Sequence, residues 1–357
     1  MTSPTPHYSD HDRTALALAF LAYLGEEPGC LYRTPYSVSN YVLGLIESNI
    51  PNVEVLCQSN KDPDWSIVWG PAFEFVALDQ ENMFFVAQQQ SVPTNYMVVV
   101  RGTNYHSVCA WLDDDFKVKY TTLWSGPSGS TNATTYGSIS EGTNNAFSAV
   151  MATKPCKKFL SRKHLPGYPN TIEEFLAGIT TQAVNITFCG HSLAGALAPT
   201  IALYFAQSQG SNGTWDANNN ATIQLTTFAG PTPGNNYFAS YLNSIIPITS
   251  FNRYNNSNDV VPLAWAVDSF ATIENLYQSS GDVDAMTSVE LALYEILKAN
   301  IANNAYTQMG NSQKFVFEIN TVKAKGTSFV EQVEYQHHVS YPTQLGVTEV
   351  LKILKSN

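Results

Sequence analysis

The chain has 357 residues, of which 44% are apolar and 13% are charged, and its formal net charge is −11. A chain of this length and composition buries a large core, so a disordered protein is excluded. Only 18 Lys and Arg residues are present, which excludes nucleic-acid binding through clustered cations and tight binding to an anionic membrane.

The first candidate element is the apolar run TALALAFLAYL at 14–24. The run is too short to span a bilayer, and His11 and Asp12 precede it where a signal peptide would be basic. We therefore expect a buried helix that ends at Gly25. No other run approaches transmembrane length, so the sequence predicts a soluble protein, either secreted or cytoplasmic.

The five cysteines have no metal-like spacing, and an odd number cannot all pair within the chain. They indicate no metal site, and they do not decide the redox compartment. No linker divides the sequence, so we treat 1–357 as one domain.

Strands and helices alternate along the rest of the chain. Strands at 73–78 and 83–87, separated by DQEN, predict an antiparallel hairpin. The next run, NYMVVVRGT at 95–103, is typical of a strand that is buried on both faces. The later predicted elements are helices at 144–160, 171–181, 196–206 and 289–301, strands at 184–188, 222–228 and 248–254, a helical hairpin over 161–182, and a β-hairpin of 314–322 with 327–335. This order predicts an α/β fold with a largely parallel central sheet, antiparallel strands at one edge and flanking helices.

The most informative motif is GHSLAG, at Gly190–Gly195. It lies between the alternating strand AVNITFC and the apolar helix ALAPTIALYFA, as in the strand-to-helix elbow that carries a hydrolase nucleophile. A sharp turn there would lift the Ser192 hydroxyl clear of the sheet. The alternative is a loop with a serine that caps a helix, but the strand and helix on either side favour the elbow.

A serine nucleophile needs a base and an acid, which follow it in the order acid then histidine in such sheets. Only His337 and His338 come after the serine, so one of them is the candidate base. Asp259, in RYNNSNDVVPL, follows a predicted strand and is the candidate acid, although an ordinary Asn/Asp turn is an equal alternative. The other aspartates in this interval end no comparable strand; they are Asp268, Asp282 and Asp284.

Six motifs in this order resemble the class 3 (fungal-type) lipases of the α/β-hydrolase superfamily. The similarity extends over about 73–345 and lies in VVVRGT, AWLDDDF, GHSLAG, TFAGPTPGN, DVVP and HVSY. The resemblance implies an α/β-hydrolase fold. The sequence departs from the family pattern at Ala194, where a glycine is usual, and at Glu141, where a histidine is usual.

The resemblance also implies a role for individual residues. Ser192 would be the nucleophile, Asp259 the acid and His338 the base, because His338 begins the His-x-x-Tyr pattern and His337 does not. Thr103 and Leu193 would form the oxyanion hole, and Asp114 would support the hydroxyl of Thr103. Tyr105 and Trp111 would belong to a lid, and His191 would be a structural residue beside the nucleophile.

The sequence thus predicts a carboxylic ester hydrolase that forms an acyl-enzyme and needs no cofactor or metal. Its substrate would be an acylglycerol or another lipid ester, met at a transient lipid–water contact. Phospholipase A1 activity, short-chain carboxylesterase activity and acyl transfer are alternatives that a fold does not distinguish. A non-catalytic lipid-binding module is the alternative from a different class, and the presence of all three triad residue types counts against it.

Overall fold

The computed structural model describes residues 8–25, 34–76, 79–102, 117–158, 163–211, 214–281, 283–319 and 327–356. Its centre is a β-sheet. The strands are β1 Trp65–Val76, β2 Asp79–Gln89, β3 Asn95–Val100, β4 Thr121–Leu123, β5 Ser138–Ser140, β6 Val184–His191, β7 Ala221–Phe228, β8 Phe251–Asn256 and β9 Asn311–Phe315. The helices are α1 Asp10–Leu21, α2 Pro35–Asn49, α3 Glu141–Ala152, α4 Ile172–Ile179, α5 Ala194–Gln207, α6 Asn236–Ile245, α7 Val267–Phe270, α8 Ser288–Ile301, α9 Phe329–Glu334, α10 Ser340–Leu345 and α11 Glu349–Ser356.

Seven strands form the central sheet in the order β1-β2-β3-β6-β7-β8-β9. The pairs β1–β2 and β2–β3 are antiparallel, whereas every pair from β3 to β9 is parallel. The predicted α/β fold, with a largely parallel sheet and antiparallel strands at one edge, is confirmed. Strands β4 and β5 form a separate two-stranded sheet.

The sheet is buried on both faces, as the unbroken apolar sequence of β3 predicts. Val98 and Val100 belong to the apolar cluster that contains α5, whereas Met97 and Val99 belong to the cluster that contains α1. Successive side chains of a strand point to opposite faces, so β3 supplies both cores. No helix in the described ranges is long and apolar enough to cross a membrane.

Four local predictions differ from the structure. The helix predicted at 144–160 is α3, which ends at Ala152, and 153–158 are not helical. The residues DQEN lie inside β2, where Asp79 pairs with Val76, and do not form the turn before it. Over 163–182 the structure has one helix, α4, where a helical hairpin was predicted. The segment LPGYPN interrupts helix formation there, because proline and glycine favour turns.

The predicted hairpin of 314–322 with 327–335 is also wrong. Strand β9 instead pairs in parallel with β8 at the sheet edge, and the second segment forms α9. Ser328 and Glu331 make a reciprocal capping box at the start of α9. This box satisfies two backbone N–H groups of the first helical turn and so favours a helix over a strand.

Helix α5 packs closely against the chain that follows β7. A Cβ atom added at Gly195 would lie 2.4 Å from the Cα of Gly230. The atom that the added Cβ would meet belongs to the backbone of Gly230, so no flexible side chain could move aside. The first turn of α5 is therefore held at a fixed position relative to β7.

We expect Gly195→Ala to lower the free energy of unfolding by about 2 kcal/mol, since overpacking of a tight contact strains the backbone. Urea unfolding of the purified protein measures this change. The matched control is Gly44→Ala in α2, where an added Cβ meets nothing within 4 Å and where we expect a gain of about 0.5 to 1 kcal/mol. Equal free energies for both variants would contradict the packing argument.

Candidate active site

Ser192 occupies a sharp turn between β6 and α5. Its φ angle is +64°, a left-handed conformation that costs a non-glycine residue about 1 to 3 kcal/mol. The turn is held by hydrogen bonds from Ser192 N to the carbonyl of Phe228, at 3.0 Å, and from Gly195 N to the carbonyl of Ser192, at 2.7 Å. This strained strand-to-helix turn is the geometry of a nucleophile elbow.

Small residues around Ser192 let three segments approach one another. A Cβ added at Gly190 would lie 2.5 Å from the Cβ of Ala194. Alanine fits at 194, where the family usually has glycine, because position 190 carries no side chain. A Cβ added at Gly102 would lie 2.5 Å from the hydroxyl of Tyr23 and 2.6 Å from the carbonyl oxygen of His191. The end of β3 therefore lies directly against the elbow.

Asp259 lies in the turn after β8 and is fully buried. Its Oδ1 accepts a hydrogen bond from Val261 N at 3.0 Å. Its Oδ2 accepts from Nδ1 of His337 and from the hydroxyl of Tyr341, each at 2.9 Å. Of the alternative aspartates, Asp268 and Asp284 are exposed, and Asp282 lies outside the described residues.

The histidine that contacts Asp259 is His337, which corrects the predicted pairing of this carboxylate with His338. Residues Tyr335–Val339 form a π-helical turn between α9 and α10. A π-helix has a wider turn than an α-helix, and here His337 and Tyr341, four residues apart, both reach the carboxylate. The ring of His338 is packed beside that of His337, with 4.9 Å between the ring centroids.

The hydrogen bond to Asp259 fixes the tautomer of His337. With Nδ1–H donated to the carboxylate, Nε2 of a neutral ring carries the lone pair. This Nε2 is buried, and none of the described residues is hydrogen-bonded to it. His337 therefore holds a proton acceptor whose opposite side is anchored by a carboxylate, as a general base requires.

Tyr341 is a further member of the site whose contact the sequence reasoning did not identify. Besides donating to Asp259, its hydroxyl accepts from Asn256 N at 3.0 Å. Burial raises the pKa of Tyr341 well above its ordinary value, and the charge of Asp259 raises it further. The hydroxyl therefore stays protonated and remains a donor. The sequence feature that could have identified this contact is the position of Tyr341 at the end of HVSY.

His191 directly precedes Ser192, and its ring supports the backbone. Its Nε2 lies 3.0 Å from the carbonyl oxygen of His337, and its Nδ1 lies 2.9 Å from the hydroxyl of Tyr23. A carbonyl only accepts, so Nε2 donates and Nδ1 accepts. Burial lowers the pKa of His191 well below its ordinary value, and protonation of the neighbouring His337 would lower it further. His191 is a neutral link between the turn after α1 and the π-helical turn, and both of its ring nitrogens are occupied.

The other predicted site residues fall into two groups. Leu193 follows Ser192 directly, is half-buried and packs against the apolar cluster that contains Val260 and Val261. Four more lie in 103–116, outside the described residues: Thr103, Tyr105, Trp111 and Asp114. Within the described ranges, no three His, Cys, Asp or Glu side chains are grouped closely enough to hold a metal ion.

The lowered pKa of His191 predicts acid sensitivity. An unfolded chain protonates histidine below about pH 6.5 while the folded chain keeps His191 neutral, so stability is present above that pH and is lost as the pH falls. We expect this one residue to remove about 1 kcal/mol of the free energy of unfolding between pH 6.5 and 5.5. The variant His191→Gln does not titrate, and urea unfolding at both pH values should show the smaller loss. An equal loss in both proteins would contradict the assignment.

Residues 97–268 match the model of the family described as lipase (class 3). A crystal structure described as M37 lipase is similar over 99% of both chains, with 26% sequence identity and a TM-score of 0.81. No curated protein is a significant match.

Two fungal lipase structures are similar over a smaller part. Lipase II from Rhizopus niveus covers 71% of this chain and 74% of its own, with 20% identity and a TM-score of 0.44. Nonglycosylated Yarrowia lipolytica LIP2 lipase covers 73% and 77%, with 16% identity and a TM-score of 0.47. From the match of residues 97–268 and the full-length similarity to M37 lipase, this chain is similar to the class 3 lipases of the α/β-hydrolase superfamily and is a carboxylic ester hydrolase.

Proposed function

We propose that the enzyme cleaves acylglycerols or related lipid esters with Ser192 as nucleophile, His337 as base and Asp259 as acid. The observation that carries this proposal is the buried 2.9 Å hydrogen bond between Nδ1 of His337 and Oδ2 of Asp259. It gives the chain a base with an anchored tautomer and a free acceptor nitrogen, on a ring that packs against His191, the residue before Ser192.

In the proposed reaction, Ser192 Oγ attacks the ester carbonyl carbon while its proton passes to Nε2 of His337. The tetrahedral intermediate collapses as the alcohol leaves with that proton, which gives an acyl-enzyme. Water then attacks the acyl group, and His337 again takes and returns the proton. Asp259 stabilises the imidazolium, and Tyr341 and Val261 hold its two oxygens in place.

The acyl group would lie against apolar side chains. Leu193, next to the nucleophile, packs against a cluster that includes Val260 and Val261, next to the acid. The cluster also contains large rings; they are Trp265, Phe270, Tyr277 and Tyr294. These rings are buried in the core, and the half-buried Leu193 is the side chain among them that an acyl group could cover. An apolar side chain there favours a lipid acyl chain over a small polar acyl group, because apolar surface is buried at a gain of about 25 cal/mol per Å².

Two observations favour different histidines as the base. The hydrogen bond to Asp259 favours His337, whereas the His-x-x-Tyr pattern favours His338. We assign His337, because a base needs the acid on its Nδ1 to hold the tautomer and stabilise the cation.

We expect Ser192→Ala and His337→Asn each to lower kcat for p-nitrophenyl butyrate by at least about 10³-fold, since triad members act as a unit. The matched control His338→Asn should keep at least a tenth of the wild-type rate. A serine-directed organophosphonate should label the wild type and His338→Asn but not Ser192→Ala.

The reverse ranking of the two histidine variants would move the base to His338 and leave the serine mechanism intact. An inert wild type that the phosphonate does not label would instead favour the non-catalytic lipid-binding module. Thermal unfolding of each variant checks that a lost rate reflects chemistry and not misfolding.

The oxyanion hole is proposed to consist of the backbone N–H groups of Leu193 and Thr103 with the Thr103 hydroxyl, supported by Asp114. Tyr105 and Trp111 are proposed lid residues. We expect Thr103→Val to lower kcat by about 10²-fold or more, because one donor to the developing oxyanion is removed. Thr103→Ser keeps the hydroxyl and should retain most of the rate. Equal losses in the two variants would show that the hydroxyl is not a donor to the transition state.

A further inference from the structure

Helix α8 carries an apolar stripe on its solvent side. Val289 and Ile296 are 67% and 57% exposed, and Ala292 and Ala299 between and after them are also exposed. Their spacing of three and four residues places all four on one side of the helix. We call these four residues the α8 stripe. No charged residue belongs to it.

The charged side chains of α8 lie outside the stripe and are engaged with other groups, although Glu295 borders it, three residues from Ala292 and four from Ala299. Glu290 closes the capping box with Thr287 at the start of the helix, and Lys298 lies 3.3 Å from Glu295. The stripe is therefore an uncharged surface on a chain whose net charge is −11. Such a face suits a neutral or zwitterionic lipid surface, whereas an anionic surface would repel the chain.

The opposite side of α8 leads toward the candidate active site. Tyr294, Leu297 and Ile301 are buried in the same apolar cluster as Val260 and Val261, the neighbours of Asp259. The ring of Tyr294 stacks on that of Phe270 in α7, with 5.2 Å between the centroids. Contacts thus run without a polar break from the stripe's helix to the residues beside the acid.

The size of the stripe favours a lipid surface over a second copy of the chain. The stripe runs from Val289 to Ala299, about 15 Å along α8, so at a width of about 10 Å it covers roughly 150 Å². A stable dimer buries about 800 Å² on each partner. A helix lying in a lipid–water interface needs only an apolar side of this size, since it inserts a few side chains between head groups.

We propose that the α8 stripe docks the enzyme on the surface of neutral or zwitterionic lipid aggregates, with the end of the sheet that carries Asp259 turned toward the lipid. The proposal rests on the proposed function, because a lipid ester is the reason for the enzyme to meet such a surface. It adds a docking element within the described residues, separate from the lid proposed over 103–116.

The test compares Val289→Ser/Ile296→Ser with Val92→Ser, a matched change at a side chain that is 42% exposed and precedes β3 at the opposite end of the parallel strands. Each change is placed in the Ser192→Ala background, and flotation with phosphatidylcholine vesicles measures binding without turnover. We expect the double variant to bind at least fivefold more weakly and the control to bind as the parent does. Ala292→Leu, which enlarges the stripe, should bind several-fold more tightly.

The same changes in the active enzyme separate this proposal from the proposed function. We expect the double variant to hydrolyse dissolved p-nitrophenyl butyrate within twofold of wild type, but emulsified triacylglycerol at least fivefold more slowly. Unchanged vesicle binding and emulsion rates in the double variant would overturn the docking role while leaving the triad standing. A dimer that the double variant dissociates would assign the stripe to self-association and would also overturn it.

Discussion

The buried carboxylate of Asp259 is the constraint on which the carboxyl end of the sheet depends. An ionised group without partners in a protein interior costs several kcal/mol, so the fold must bring donors to it. Three segments supply them: the turn that follows Asp259 through Val261, the π-helical turn through His337, and α10 through Tyr341. These segments cannot move apart without leaving a charge unpaired. The same requirement fixes the tautomer of His337.

A second set of contacts transmits this constraint to the elbow. His191, the last residue of β6, donates to the carbonyl of His337 and accepts from Tyr23. Because His191 stays neutral, the link needs no counter-charge. The amino-terminal helix, the elbow and the π-helical turn are thereby joined behind Ser192, on the side away from solvent. Ser192 itself is 8% exposed, so the surrounding structure holds its strained φ angle by packing on nearly every side.

The sequence was most informative where a pattern is local. Strands β3 and β6 and the elbow were predictable because alternation, unbroken apolar runs and small residues act over a few positions. Strand β9 was not, since its parallel partner β8 is far away in sequence and a hairpin with the next segment satisfies the same alternation. The histidine that meets Asp259 was displaced by one residue, because a wide π-helical turn changes which side chain faces the acid. No pattern in the sequence predicted the π-helical turn at Tyr335–Val339.

The position of Asp259 also determines where the segment between β8 and β9 begins. Since the acid follows β8, any chain between β8 and β9 must begin at the end of the sheet that holds the buried network. Residues 257–310 occupy that interval and include α7 and α8. Their inner side chains extend the apolar cluster beside Val260 and Val261, whereas their outer side chains face solvent. Changes on the outer side leave the donors of Asp259 untouched, so the proposed docking can be tested separately from the chemistry.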